Sequence, residues 1–350
     1  MCSIIGYRGK NSAAPILVNG LQRMEYRGYD SVGIATKSKN KILLRKGIGK
    51  VVEVNNCVQL DHLPGNTGIG HTRWATHGKV TENNAHPHQS NSGKIAIVHN
   101  GIIENYEELK SDLQKRGFDF HSETDTEVIA NLIQINFDEI PDVKQAIIKT
   151  VGQLKGHYSF VVIFEDGTIA GARFHEPLIV GIGKDSYYLS SDVLGFIEKT
   201  DDAIYLDNED FVILNDAGIH IYGFDGSSVK YQITKVSKEF ADVYKGDYAH
   251  FTLKEISEQP DSISHAGNND QIQQFVDSIK QAKNLYITGS GTSYNAAEIA
   301  KYLMSKFAKI KISTVIASEL PFSPDDIESD STLCLLYTSD AADDMQCVDL

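Results

Sequence analysis

A cysteine stands second in the chain, directly behind Met1. Removal of Met1 would leave one residue carrying both a thiol and a free α-amino group. That amine has an ordinary pKa of roughly 8, so it can take a proton near neutrality. A thiol with a base beside it is an activated nucleophile. Asn100 and Gly101, in His99-Asn100-Gly101, offer a side-chain NH2 and a backbone N–H, the kind of donor pair that a developing oxyanion needs. Arg73, in Thr72-Arg73-Trp74, and Asp125, in Ser122-Glu123-Thr124-Asp125-Thr126-Glu127, offer a fixed cation and a fixed anion. Together these groups suit hydrolysis of glutamine's side-chain amide. The arginine fork would take the α-carboxylate and the aspartate the α-ammonium.

Each feature alone has a plainer explanation. Asn-Gly is an ordinary turn pair. Asp125 favours a helix N-terminus. Arg73 suits a solvated surface, and Trp74, the single tryptophan, suits a core or rim. His86 and His88 flank Pro87, but this His-x-His has no carboxylate or cysteine partner beside it, so no metal is expected.

The elements that must position these residues follow from periodicity. Ser3 to Tyr7 is predicted as a strand. A helix follows over Ser12 to Tyr26, with Ser12 as its cap and Pro15 in the first turn. Asn105, with Glu108 three places on, predicts a capping box for a helix ended by Gly117. Thr124 to Phe137 repeats apolar residues at helical spacing. Tyr158 to Phe164, Leu178 to Ile182, Phe211 to Leu214 and Ile219 to Tyr222 read as short strands. Gln271 to Ala282 is predicted helical. Leu285 to Thr288 then reads as a buried strand, followed by Gly289-Ser290-Gly291-Thr292-Ser293, a helix through Phe307 and a strand over Lys311 to Ile316. Strand, glycine loop, helix and strand make a βαβ unit. Such a loop presents N–H groups and hydroxyls to an anion. It lacks the third glycine of a dinucleotide fingerprint.

At 350 residues the chain suits about two domains, and its 41% hydrophobic and 23% charged content is ordinary for a globular protein. A net charge of −14 argues against a nonspecific nucleic-acid binder. Cys2, Cys57, Cys334 and Cys347 are too widely spaced for a disulfide framework or a zinc site. With no apolar run long enough to span a membrane and no basic leader, a cytoplasmic protein without membrane association is expected.

Five segments in order carry a more specific likeness: the second-position Cys, Tyr26-Arg27-Gly28-Tyr29-Asp30-Ser31, Thr72-Arg73-Trp74-Ala75-Thr76-His77-Gly78, His99-Asn100-Gly101 and Ser122 to Glu127. In them the chain resembles the class II, N-terminal-nucleophile (Ntn) glutamine amidotransferases, in particular the branch that aminates fructose 6-phosphate. The resemblance implies an α/β fold: an Ntn-hydrolase α/β/β/α sandwich over residues 2–236, a linker over 237–270 and a partial doubly wound α/β SIS (sugar isomerase) domain over 271–333. It implies glutamine contacts at Arg73, Thr76, His77 and Asp125, ammonia gating by Trp74, and Arg27 near the site. Thr292 and Ser293 would meet the phosphate of fructose 6-phosphate. No metal or organic cofactor is implied, and the full-length protein is expected to be a homodimer.

The family usually has glycine where this chain has Ser3, which puts a side chain beside the nucleophile. Residues 334–350 resemble translated sequencing adapter, so natural sequence is expected to end near Leu333. The chain alone is then expected to release ammonia from glutamine without making glucosamine 6-phosphate. Two alternatives stay open: another class II amidotransferase, such as an amidophosphoribosyltransferase, and a sugar-phosphate-sensing module with a dead amidase site.

Overall fold

The computed structural model describes residues 2–75, 78–236, 248, 251–266, 276–277, 279–280, 284–322 and 331–335. The chain divides into two compact units, Met1–Tyr244 and Lys245–Leu350.

The first unit is built on two antiparallel sheets. Its strands are β1 (Ser3–Gly9), β2 (Ser31–Ser38), β3 (Lys41–Ile48), β4 (Thr67–Arg73), β5 (His88–Gln89), β6 (Ile95–Ile103), β7 (Gly156–Phe164), β8 (Ile169–Phe174), β9 (Ile179–Gly183), β10 (Ser186–Ser190), β11 (Asp202–Tyr205), β12 (Asp210–Asn215), β13 (Gly218–Gly223) and β14 (Thr234–Lys235). One sheet runs β14-β11-β9-β10-β1-β4-β2-β3, the other β13-β12-β8-β7-β6-β5. Ile4, Ile69, Ala96, Val98, Val161 and Leu189 fill the seam between the sheets. Helices α1 (Ala13–Arg23) and α2 (Val51–Val58) cover the first sheet through Leu17, Leu21 and Val54. Helices α3 (Tyr106–Lys115), α4 (Thr126–Glu139) and α5 (Val143–Val151) cover the second through Leu113, Val128, Ile129, Leu132 and Ile147. The layers are therefore α/β/β/α, as the sequence led us to expect.

Strand alternation decides which side chains enter the seam. On β1, Ile4 points into it, while Ile5 packs against α1. Ser3 shares the Ile5 side and donates to the Met24 carbonyl at 2.9 Å, at the end of α1. Its hydroxyl is thus spent on the helix layer, away from the seam. On β4, Ile69 sets the seam parity for His71 and Arg73. On β6, Ala96 and Val98 set it for Asn100.

Some local expectations were wrong. Asn105 precedes α3 without capping it. Its amide donates to the Gln153 carbonyl at 2.9 Å and accepts from the Lys155 N–H at 3.0 Å, tying the helix start to the approach to β7. Ser12 stands at the N-cap of α1 but makes no side-chain capping bond. His71, Thr72 and Arg73 form the last three positions of β4.

In the second unit, strands β15 (Asn284–Gly289), β16 (Ile312–Ile316) and β17 (Ser331–Leu335) form a parallel sheet in the order β16-β15-β17. Helix Gly291–Phe307 connects the first two strands, giving the βαβ unit read from the sequence. Leu285, Ile287, Ala297 and Ile312 form its core. β17 crosses the boundary expected at Leu333, because Cys334 continues the pairing opposite Ile287. The segment expected to be a linker contains α6 (Phe251–Ala266), with Pro260 in its interior. Most of the helix predicted over 271–282, and the tail after Leu335, lie outside the described residues.

Candidate active site

Cys2 heads β1 at one end of the seam. Its Sγ accepts the Trp74 N–H at 3.2 Å and lies 3.5 Å from the Trp74 carbonyl. Across the seam, Asn100 reaches from β6 and donates its Nδ2–H to the Cys2 carbonyl at 3.2 Å. The two sheets thus bring together the thiol-bearing residue and an amide donor that are 98 positions apart. Burial pushes the Cys2 thiol above its ordinary range, opposed by the Trp74 N–H bond and the nearby Arg73 charge. A thiol so held is protonated at neutral pH and needs a base to become a nucleophile.

Gly101 follows with φ +105. A Cβ there would run into the His157 carbonyl oxygen on β7. Only glycine accepts both the backbone angle and the close approach of the neighbouring strand.

Arg73 and Asp125 are both buried. The Arg73 guanidinium donates to the carbonyls of Lys79 at 3.1 Å and Gly78 at 3.4 Å, and interacts electrostatically with Cys2, Asp30, Asp125 and Glu123. Asp125 does not cap α4; its Oδ2 accepts the Ile103 N–H at 2.7 Å, just past Gly101. Trp74 is 39% exposed and packs edge-on against Tyr29 at 5.3 Å. Arg27 is committed elsewhere, donating to Asp192 at 3.1 Å beside the Tyr26 hydroxyl. Thr76 and His77 lie outside the described residues. In the second unit, Ser293 is buried and Thr292 exposed at the start of helix Gly291–Phe307, whose N-cap is Ser290.

Sequence reasoning missed several supporting groups. Asp30 accepts the Ala75 N–H at 2.8 Å and pins the chain just after Trp74. Asn84 and Glu123 clasp each other: the Asn84 Nδ2–H donates to the Glu123 carboxylate at 3.0 Å, and the Glu123 N–H donates to Asn84 Oδ1 at 2.9 Å. Glu127 accepts from the N–H and hydroxyl of Ser122, both at 2.8 Å, and shapes the turn that carries Asp125.

The largest omission is a buried histidine cluster behind the site. His71 stacks on His86 at 4.2 Å, and His86 meets His88 edge-on at 4.8 Å. His86 Nδ1 accepts the His99 N–H at 3.3 Å, so its proton sits on Nε2 and faces Thr126 Oγ1 at 3.2 Å. His99 Nδ1 meets the same hydroxyl at 2.9 Å, and His88 Nε2 meets Thr124 Oγ1 at 3.1 Å. His86 and His88, the His-x-His pair of the sequence, thus meet threonine hydroxyls and neighbouring imidazoles.

Burial lowers the pKa of all four rings, that of His71 to about 3, with Arg73 adding repulsion at His71, His86 and His88. Each ring is neutral when folded and titrates near 6.5 when unfolded. Its contribution to stability is complete above about pH 6.5 and is lost as pH falls towards the folded value. Every ring protonated only in the unfolded chain steepens the loss by about 1.4 kcal/mol per pH unit. We expect the melting temperature of the first unit to fall by roughly 10 °C or more between pH 7 and pH 5. Calorimetry across that range would show it; a flat profile would contradict the burial of these rings.

The double sandwich, with a cysteine leading an inner strand, gives the first unit the fold of an N-terminal-nucleophile amidotransferase. Residues 71–197, within the first unit, match the family described as "Glutamine amidotransferase domain". The chain is homologous to curated glutamine--fructose-6-phosphate aminotransferases (isomerizing). That of Pyrococcus horikoshii is 43% identical over 343 residues, covering 97% of this chain and 57% of the relative. That of Aquifex aeolicus is 41% identical over 332 residues, covering 92% and 55%. The chain therefore spans less than three fifths of these relatives. Among solved structures, glutamine phosphoribosylpyrophosphate amidotransferase from B. subtilis shares the fold, with a TM-score of 0.58 at 24% identity over 89% of this chain and 65% of that one. No helix among the described residues is long and apolar enough to cross a membrane.

Proposed function

We propose that the first unit hydrolyses the side-chain amide of glutamine with Cys2, exposed by removal of Met1, as nucleophile. The observation that carries this reading is the Asn100 amide reaching across the seam to the Cys2 carbonyl, beside the thiol of the same residue. The Cys2 α-amine takes the thiol proton, and sulfur attacks the amide carbon. The Asn100 Nδ2–H and the Gly101 N–H hold the resulting oxyanion. The ammonium passes its proton to the departing nitrogen, and ammonia leaves. Water then cleaves the thioester to give glutamate. Arg73 and Asp125 hold the α-carboxylate and α-ammonium of glutamine, with Thr76 and His77 completing that pocket. Trp74 gates the ammonia, and Arg27 steadies the neighbouring segment through Asp192.

In the longer protein, the ammonia aminates fructose 6-phosphate to give glucosamine 6-phosphate. Thr292 and Ser293 hold the sugar phosphate in an SIS domain, and two copies pair. The names of the relatives favour this over phosphoribosyl transfer. A cytoplasmic setting keeps the thiol reduced.

The purified chain is expected to release one glutamate and one ammonia per glutamine, with no sugar phosphate present. Sugar-phosphate binding without glutamate release would favour the sensing module instead.

A further inference from the structure

We propose that His71 is a positioning residue for amide hydrolysis, fixing which end of the Asn100 side-chain amide faces the reaction. The inference rests on the hydrolase reading above and adds to it a residue that touches neither Cys2 nor the substrate.

The His71 Nε2 lies 3.0 Å from the His99 carbonyl and 3.1 Å from Asn100 Oδ1. A carbonyl oxygen can only accept, so Nε2 carries a hydrogen. Among the described residues, the buried Nδ1 finds no hydrogen-bond partner. A second proton there would be an orphaned donor, so the ring is neutral with its hydrogen on Nε2. His86, stacked on one face, holds the ring in place.

An asparagine amide is nearly symmetric in shape, and nothing in its own geometry selects oxygen or NH2 for the active site. His71 makes the selection together with the Cys2 carbonyl. Its Nε2–H claims Oδ1, which leaves Nδ2 aimed at the Cys2 carbonyl. Turning the amide over would set NH2 against Nε2–H and Oδ1 against the Cys2 carbonyl. Moving the ring proton to Nδ1 offers no escape, because a bare Nε2 would then face the His99 carbonyl. Either change strands buried polar groups that have no water to turn to, which disfavours it. The oxyanion donor is thus pre-aimed before substrate arrives, as electrostatic preorganisation requires.

Glutamate release by the parent chain, His71→Asn, His71→Gln, Asn100→Ala and His71→Asn/Asn100→Ala tests the role. The shorter amide of His71→Asn stops short of Asn100, whereas the terminal NH2 of His71→Gln reaches the Nε2 position. His71→Asn is expected to lower kcat by about thirtyfold or more with KM for glutamine within about twofold, and His71→Gln to stay within about threefold of the parent. In the Asn100→Ala background, His71→Asn should change kcat by less than about twofold, since nothing remains to aim. Equal losses in both backgrounds, or an unchanged kcat in His71→Asn, would overturn the proposal. A parent chain that releases no glutamate sinks the hydrolase reading itself, a separate and recognisable result. Should the variants fail to fold, ring 15N shifts of His71 in the parent decide. A protonated Nε2 and bare Nδ1 from pH 5 to 8 are expected, and a proton on Nδ1 would overturn the role.

Discussion

Replacing Cys2 with alanine is expected to reduce glutamate release by at least about four orders of magnitude while leaving the first unit folded. Loss of a nucleophile removes the covalent route entirely, and the remaining binding and oxyanion groups supply only a small residual rate. The fold should survive because, among the described residues, the thiol's hydrogen bonds are to one backbone unit, that of Trp74. β1 is secured instead by its ladders to β10 and β4 and by the buried Ile4, Ile5 and Tyr7. Far-ultraviolet circular dichroism and thermal melting alongside the activity assay separate the two effects. Turnover retained in Cys2→Ala would rule out the mechanism, whatever the fold.

Gly101→Ala should have the second-largest effect, on stability and activity together. A non-glycine residue at φ +105 is strained by about 1–3 kcal/mol. The added Cβ must also displace the His157 carbonyl of the paired strand β7. We expect the unfolding free energy to drop by roughly 3 kcal/mol or more. Any folded fraction should be at least about a hundredfold slower, because the shift moves the Gly101 N–H and the adjacent Asn100 amide away from the oxyanion. Urea unfolding and single-turnover glutamate release measure the two parts. A variant as stable and active as the parent would show that β6 and β7 are not as closely packed at this point as described.

Much of the architecture was legible because it is local. β1, α1, α4 and the strand–loop–helix of the second unit follow from apolar spacing over a few residues. The hairpin of β2 and β3 was harder to read. β3 is KILLRKGI, with charged residues at three of its eight positions, and most of the strand is only partly buried. Helix α6 escaped notice because Pro260 and a polar composition mask a helical period. The capping box at Asn105 failed because the amide found a tertiary partner near Lys155, which no local rule can see.

The candidate site divides in the same way. Cys2, Arg73, Asn100, Gly101 and Asp125 were legible because each has a residue type suited to a step in amide hydrolysis. His71, Asp30 and Asn84 were not, because their roles lie in what they hold. His71 matters through Asn100, 29 positions away, and Asn84 through Glu123, 39 positions away. Ser3 shows the converse. It looked like an intrusion beside the nucleophile, but strand parity turns it towards α1 and the Met24 carbonyl.

The central claim, that the α-amine and thiol of Cys2 work as one catalytic unit, is tested most directly by mass spectrometry of the N-terminal peptide after treatment with an electrophilic glutamine analogue. We predict a single adduct on the sulfur of a Cys2 that has lost Met1 and carries an unblocked amine. An active protein that retains Met1, or one labelled at Cys57 and not at Cys2, would contradict it.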